Sequence, residues 1–494
     1  MPRSATFKTS FAFLGVALVC LLFADVEIST LHPWQELGRM ARGALTPNFL
    51  AFDELGQALL MTLAFGLLGV AAGAVAGFGL SILYVNPLVR WLCAVLRAVH
   101  ELVWALLFLQ FFGLSPLTGL LAIAIPYAGT FGKVYYEIME EANPAPAHAL
   151  PRGVGRVSAY FYTRLPDAWV HMVNYSSYRL ECGLRSSAVL GFVGLPTLGY
   201  HLESFFAQGQ YSQAAALLLL FYVVIATLRL WLHARLLAVY LPVAVWAIWA
   251  PLDIAWVNVV RFFGVDIVPA PLRHAGTLGG PALAELADWS WTLLVRQALP
   301  GVAATVLLTQ IALVVTGMVT LTLFPLISRK FFGRFGRTLG HVLLVVLRST
   351  PEYILAYIFL TLWGPSMLPA IVALAVHNGA IIAFLTGRHA NEVSLRQDAP
   401  RGLNLYGYEI VPRVYGQFLA FLFYRWEIIM RETAILGILG IRTLGFYVDS
   451  AFADIRFDRA LFLIAITALL NIVVDTFSRG LRAHLRLSHR ADIR

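Results

Sequence analysis

Three ionisable residues, Arg179, Glu181 and Arg185, stand at the head of the apolar stretch "YRLECGLRSSAVLGFVGLPTLGY", and a near copy beginning at Tyr424, "YRWEIIMRETAILGILGIRTLGF", carries Arg425, Glu427, Arg431 and an extra Glu432. Two chemistries suit such residues. Glu181 with Arg185 and Glu427 with Arg431 are spaced i,i+4, so on a helix they share a face and can neutralise each other. Alternatively, guanidinium forks offer paired donors to a phosphate-like oxyanion and release it if the hold is weak. The first copy sets two arginines against one carboxylate, so structural pairing and help to a passing anion both stand as readings of Arg179, Arg425, Arg185 and Arg431.

A second set reads more plainly. Arg97 and Glu101 recur as Arg348 and Glu352, again four apart. The even tally marks them as intramembrane ion pairs on one helix face that hold helices in register. His100 and His377 read as satisfied interior histidines rather than ligands. Each charged cluster is followed by a glycine-rich element, Gly191, Gly194 and Gly199 in one copy and Gly437, Gly440 and Gly445 in the other. These glycines either allow close helix packing or break a helix at a gate.

Other chemistry has no foothold. Cys20, Cys93 and Cys182 are far apart and lack CxxC spacing, so neither a disulfide framework nor a metal site is expected. "GTFGKV" is too short for a P-loop, His100-Glu101 does not open an HExxH motif, and no catalytic constellation is evident. The chain reads as no enzyme and as holding no cofactor of its own.

The elements that carry these residues must cross a membrane. Of 494 residues, 59% are hydrophobic and only 13% charged, and the mean hydropathy is +0.76, more apolar surface than soluble cores of this size could hide. Several runs exceed the roughly 20 residues needed to cross about 30 Å of hydrocarbon. The first, after the basic "MPRSATFK", lacks a small-x-small cleavage site and reads as a retained signal anchor. Twelve spans are expected near 8–24, 58–84, 88–112, 116–136, 174–198, 212–232, 237–257, 299–328, 338–363, 367–387, 418–445 and 459–477. An even count places both termini in the cytoplasm. The net charge of +9 collects in "RLWLHAR", "SRKFFGRFGR" and the tail from Ser478. That placement follows the positive-inside rule and points to lipid surroundings, not nucleic acid.

The chain is also a duplication. "LRAVHELVWALLFL" from Leu96 aligns with "LRSTPEYILAYIFL" from Leu347, "LPRG" with "APRG", and the arginine-bearing stretches match at a constant offset of 246. Six spans per copy give parallel repeats about an axis along the membrane normal. The expected division is 1–54, a leading anchor and extracytoplasmic segment; 55–236, the first repeat; 237–298, the leading helix and segment of the second half; 299–482, the second repeat; and 483–494, a basic cytoplasmic tail.

The loop after the fourth span of each half resembles the coupling loop of binding-protein-dependent ABC importer permeases. Gly153 leads by thirteen positions to Pro166, with Pro151, Arg152 and Leu165 beside them, and the second copy runs Pro400, Arg401, Gly402 to Pro412. Both copies depart from the family's Glu-Ala-Ala start, with Ala147-His148-Ala149 and Arg396-Gln397-Asp398 in its place. "RAVHELVWALLFLQFFGLSPLTGLLAIAIPYAGTFGK" and the "YRWE" run are most similar to the phosphonate-uptake type, here as two permease copies fused in one chain.

That resemblance implies an all-α polytopic protein of about twelve transmembrane helices, two parallel six-helix repeats of the type I, methionine-permease-like fold, in the bacterial inner membrane. It implies two copies of a cytoplasmic ABC ATPase that bind ATP-Mg and grip the loops, and an extracytoplasmic solute-binding protein that delivers a phosphonate or related phosphorus oxyanion. A permease for another anion such as phosphite or phosphate is the nearer alternative, and a proton-coupled secondary transporter the more distant one.

Overall fold

Backbone N–H and C=O groups in hydrocarbon must be satisfied within their own segment, so the long apolar runs fold as helices. A computed structural model describes residues 2–30, 32–50, 54–143, 145–151, 153–249, 254–273, 279–485 and 487; Arg152 and nearly all of the tail beyond Leu485 lie outside these. Among the described residues all regular structure is helical. Helices of ten residues or more are numbered α1 (Pro2–Phe23), α2 (Pro33–Leu45), α3 (Leu55–Ile82), α4 (Pro87–Ala98), α5 (Glu101–Phe112), α6 (Pro116–Glu141), α7 (Leu165–Val189), α8 (Leu198–Ala207) and α9 (Tyr211–Ala226). The series continues with α10 (Leu237–Ala247), α11 (Gly280–Leu293), α12 (Leu299–Leu323), α13 (Arg334–Ser349), α14 (Glu352–Trp363), α15 (Met367–Glu392), α16 (Val411–Ile438), α17 (Leu444–Ala453) and α18 (Phe457–His484).

Six helical stretches among the described residues are long and apolar enough to cross a membrane, or up to eight if each of two bent pairs is one span. The protein is therefore a multi-pass membrane protein. The expected straight spans need correction in three respects. Residues 88–112 and 338–363 each form two helices, α4 with α5 and α13 with α14, that meet at 92°. Residues 174–198 and 418–445 are not single helices: α7 and α16 begin earlier, end at Val189 and Ile438, and a turn leads into α8 and α17. In the run 237–257 the first helix covers only Leu237–Ala247.

The bends have identifiable local causes. In the second copy Pro351 disfavours helical backbone at Thr350, which is extended (φ −66°, ψ 118°). In the first copy His100 takes the same place without a proline: its backbone is extended and its Nδ1 accepts from the Leu102 N–H at 3.2 Å, capping α5. Arg97 and Glu101, and Arg348 and Glu352, thus lie on either side of a right-angled break, which corrects the reading that each pair shares one helix face.

The glycine-rich turns are built alike in both copies. A Cβ on Gly191 would sit 2.1 Å from the Tyr200 nitrogen, and one on Gly437 2.1 Å from the Phe446 nitrogen. Gly445 meets the backbone of Ala434 as closely, and Gly199 is part of the wall that Gly191 faces. Gly194 and Gly440 have φ of +92° and +87°, the left-handed conformation that ends a helix at glycine. The turn is then pinned to the first long helix of its own copy, where Thr62 Oγ1 accepts from Leu198 N at 2.8 Å and Thr305 Oγ1 from Leu444 N at 3.0 Å.

The chain divides into two compact bodies, one of Met1–Thr46 with Asp266–Asp492 and the other of Pro47–Val265. Within the second of these, α3 presents Gly69, Gly73 and Gly77 to Ile123, Tyr127 and Phe131 of α6, where added Cβ atoms would come within 2.4–2.8 Å. This is small-residue packing that brings helix backbones close without a hydrophobic gradient in lipid. In the other body the small residues sit on α15, with Gly379 against Val319 and Gly387 against Ile327.

The leading segments differ from the expected division. α1 packs on α12 and α16, with Phe13 5.1 Å from both Phe423 and Trp426 and Tyr415 donating to Ser10 at 2.7 Å. Residues 237–265 join the first copy instead, α10 against α3 and Phe262 against Phe111 at 4.5 Å. α1 and α10 therefore each pack on the copy that they do not precede.

Gly437→Ala should cost about 2–3 kcal/mol or more through backbone displacement, seen as a lower melting temperature and folded yield. Gly56→Ala, where an added Cβ meets nothing within 4 Å, should be neutral or slightly stabilising in the same thermal-shift assay.

Candidate functional site

In each copy, three helices bring the ionisable residues of separate sequence stretches together. In the first, the Arg179 guanidinium carbon lies 4.5 Å over the Tyr127 ring, a cation–π contact. Tyr127 Oη is 3.3 Å from Ser186 Oγ, and Ser186 donates to Glu101 Oε1 at 2.6 Å. His100 Nε2 lies 3.8 Å from Glu101 Oε2.

The second copy places different residues in equivalent positions. Arg425 Nη1 donates to Asn378 Oδ1 at 3.1 Å, and Asn378 Nδ2 donates to Glu432 Oε2 at 2.8 Å. His377 Nε2 lies 3.7 Å from Glu352 Oε2, and its Nδ1 donates to the Thr350 carbonyl at 2.8 Å. Tyr127 corresponds to Asn378 and Ser186 to Glu432 in the repeat offsets. The imidazole stands beside the glutamate in both copies, although it comes from the bend in one and from the middle of α15 in the other.

Arg179 thus reaches Glu101, at the first bend, through Tyr127 and Ser186, whereas Arg425 reaches Glu432 on its own helix through Asn378. Arg348 packs its guanidinium 4.6 Å over Phe384. Arg185, Glu181, Arg431 and Glu427 are half-buried on α7 and α16; the helix is continuous through each pair, so Glu181 and Arg185, like Glu427 and Arg431, share a face. Arg185 also donates to Cys182 Sγ at 3.4 Å.

The loops that resemble coupling loops also have a defined architecture. Gly153 and Gly402 adopt φ of +100° and +64°, turns that favour glycine. Each loop then enters its helix through a π-helical turn, Tyr160–Arg164 and Leu405–Ile410, a form often found at functional sites. Pro151, Pro166, Arg401 and Pro412 are exposed, and Leu165 and Pro400 half-buried. Tyr162 and Tyr408, which correspond at the offset of 246, stand out at 80% and 77% exposure.

In the second loop one buried carboxylate organises the backbone. Glu409 accepts from Arg396 Nε at 3.0 Å, from the Arg396 N–H at 3.2 Å and from Arg413 Nη2 at 2.6 Å. Arg413 Nη1 donates to Ser394 O at 2.6 Å, and Lys330 Nζ donates to Val393 O. Burial, with Arg413 adding to it, pushes the Lys330 ammonium below its usual pKa. Leu405 and Ile410 are buried with Phe324, Ile327 and Val414. Arg396, which stands where the family has the glutamate of its Glu-Ala-Ala start, here faces a glutamate from the other end of the loop. The first loop is tied by Arg164 to Glu140 and by Asn143 N to Asp167 Oδ2 at 3.0 Å.

Tyr127, Ser186, Asn378 and Glu409 were not legible as site residues. Tyr127 and Asn378 differ between copies, so matching identities passes over them. The paired Tyr162 and Tyr408 were readable from the constant offset.

No protein-family profile and no solved structure matches the chain. Relatives do. A putative cryptic phosphonate transport system permease protein of Escherichia coli (strain K12) is 30% identical over 110 residues, 22% of this chain and 90% of that protein. The chain belongs to the phosphonate transport permease family. A phosphate-import permease protein of Mycolicibacterium smegmatis is 23% identical over 473 residues, 87% of the permease described here and 86% of its relative. A phosphite transport system permease protein of Stutzerimonas stutzeri is 28% identical over 225 residues, 43% of this permease and 81% of its own length. The match along 473 residues shows that a permease of this family spans both halves of the chain.

Replacing Glu409 of the permease by Gln should loosen the loop between Glu392 and Val411 by about 1–3 kcal/mol, the lower end applying because Arg396 and Arg413 are partly solvated. Hydrogen exchange or limited proteolysis should show faster opening there, with α15 and α16 unaffected.

Proposed function

We propose that the chain is the transmembrane subunit of an ABC importer for a phosphonate or a related phosphorus oxyanion such as phosphite or phosphate. Two copies of a cytoplasmic ATPase bind ATP-Mg and supply the energy, and an extracytoplasmic solute-binding protein delivers the solute. The site is the bacterial inner membrane, with both termini in the cytoplasm. Relatives named for phosphonate, phosphite and phosphate transport support this solute class.

The finer architecture follows the type I importer. Twelve crossings in two six-helix repeats require the charged α7 and α16 and the shorter α9 and α10 to cross along with the bent pairs and the six long stretches. The observation that carries the functional reading is the arginine-bearing helix present in each half, α7 and α16, its guanidinium groups on Arg179, Arg185, Arg425 and Arg431 embedded among apolar helices. Such positions are costly, by about 2.5–3.5 kcal/mol each on insertion scales, and mark solute pathways when they face a cavity. Arginine presents donors matched to three oxyanion oxygens without a proton to lose.

Coupling is assigned to the two loops. Tyr162 and Tyr408, with the neighbouring Val157 and Leu403, give each an exposed apolar knob at 58–87% exposure, suited to a groove on an ATPase. Residues 151–166 and 400–412 form the contact, and closure of the ATPase pair transmits through α7 and α16.

The test is uptake of radiolabelled 2-aminoethylphosphonate, phosphite and phosphate into cells that express the chain with its ATPase and binding protein. Wild type should accumulate at least one of them. Arg185→Gln with Arg431→Gln should lower the rate about tenfold or more while membrane insertion and ATPase assembly persist. Tyr162→Ala with Tyr408→Ala should instead reduce co-purification of the ATPase. Uptake that survives inactivation of the ATPase would sink the reading.

A further inference from the structure

Among the described residues, Glu352 at the start of α14, His377 in α15 and Glu432 in α16 place one ligand atom each within 4.8 Å of one another. His377 and Glu432 are buried and the Glu352 side chain is 12% exposed. All three belong to one compact body. The imidazole is wired in one direction. The Thr350 carbonyl can only accept, so His377 Nδ1 carries the proton. Nε2, the other ring nitrogen, faces Glu352 Oε2 3.7 Å away and is the ring atom placed to act as a ligand.

A carboxylate oxygen and an imidazole nitrogen so placed can both ligate one cation. The 3.7 Å separation suits two ligands each about 2.0–2.2 Å from a shared ion. The outer contacts are of the kind that orient metal ligands: a backbone carbonyl on the other imidazole nitrogen, and the Asn378 amide on Glu432, itself held by Arg425.

The first copy supplies an internal contrast. There His100 Nδ1 accepts from the Leu102 N–H, so the neutral ring bears its proton on Nε2, toward Glu101. Ser186, at the position of Glu432, donates its hydroxyl proton to Glu101. Proton donors face the carboxylate in that copy; in the other a second carboxylate, Glu432, takes the place of the serine.

We propose that Glu352, His377 and Glu432 bind a divalent transition-metal cation in the second half of the chain and that the first half has no counterpart. One imidazole and two carboxylates suit Zn²⁺ or Mn²⁺, and three protein ligands leave a coordination position open for water or another oxygen ligand. The ion ties α14, α15 and α16 together beside the 92° bend. This goes beyond the transport reading and rests on these side chains alone.

The test uses the full chain, purified into lipid nanodiscs, stripped with a chelator and titrated separately with Zn²⁺ and Mn²⁺. About one equivalent of either ion should remain after gel filtration, and should fall about tenfold or more in His377→Gln and in Glu432→Ser. The serine variant carries the first copy's own residue and tests the site even if the histidine change prevents insertion. His100→Gln should retain the ion. Less than about a tenth of an equivalent of both ions in the wild type, or undiminished retention in Glu432→Ser, overturns the proposal. Because the readout is bound metal, its failure leaves the transport assignment standing, and failed uptake leaves the metal site standing.

Discussion

A charged side chain within a membrane-spanning helix has no water to stabilise it, and the rest of this structure follows from how that cost is met. The chain bends the helix that carries Glu101 or Glu352 by 92°, so that the glutamate opens a new helix, and then brings Arg179 toward Glu101 through Tyr127 and Ser186 and sets His377 beside Glu352. Glycines make this possible. Gly69, Gly73 and Gly77 let α3 and α6 approach closely, and Gly191 and Gly437 let the chain turn back against itself at the end of the arginine-bearing helix.

Duplication allowed the two networks to diverge while keeping their outline. Tyr127 and Asn378 both connect an arginine to the next polar group, one through its ring and hydroxyl and the other through its amide. A histidine beside the glutamate is supplied from two different elements, and its Nδ1 accepts from an amide N–H in one copy and donates to a carbonyl in the other. A fused chain can hold such an asymmetry permanently, since each copy always occupies its own half. The loops show the same divergence: a buried Glu409 holds one together, whereas the first is tied at its ends.

The sequence by itself determined the class. Apolar runs long enough to cross a bilayer, their charged flanks, the constant offset of 246 between the arginine-bearing stretches and the spaced glycine and proline of two loops are local properties, and each has one physical meaning wherever it occurs. They were sufficient for an all-helical, duplicated membrane protein, and the phosphonate-type permease followed from the resemblance of the loops and the arginine-bearing stretches to that family. Tertiary structure decided which charges meet. The i,i+4 rule holds only while the helix continues, and Thr350 before Pro351 and the His100 cap end it between the very residues that the spacing had paired. Contacts such as Ser186 with Glu101, Asn378 with Glu432 or Arg396 with Glu409 join separate segments, as does the packing of each leading helix on the copy that it does not precede. No periodicity records them, because they depend on how helices cross rather than on how residues follow one another.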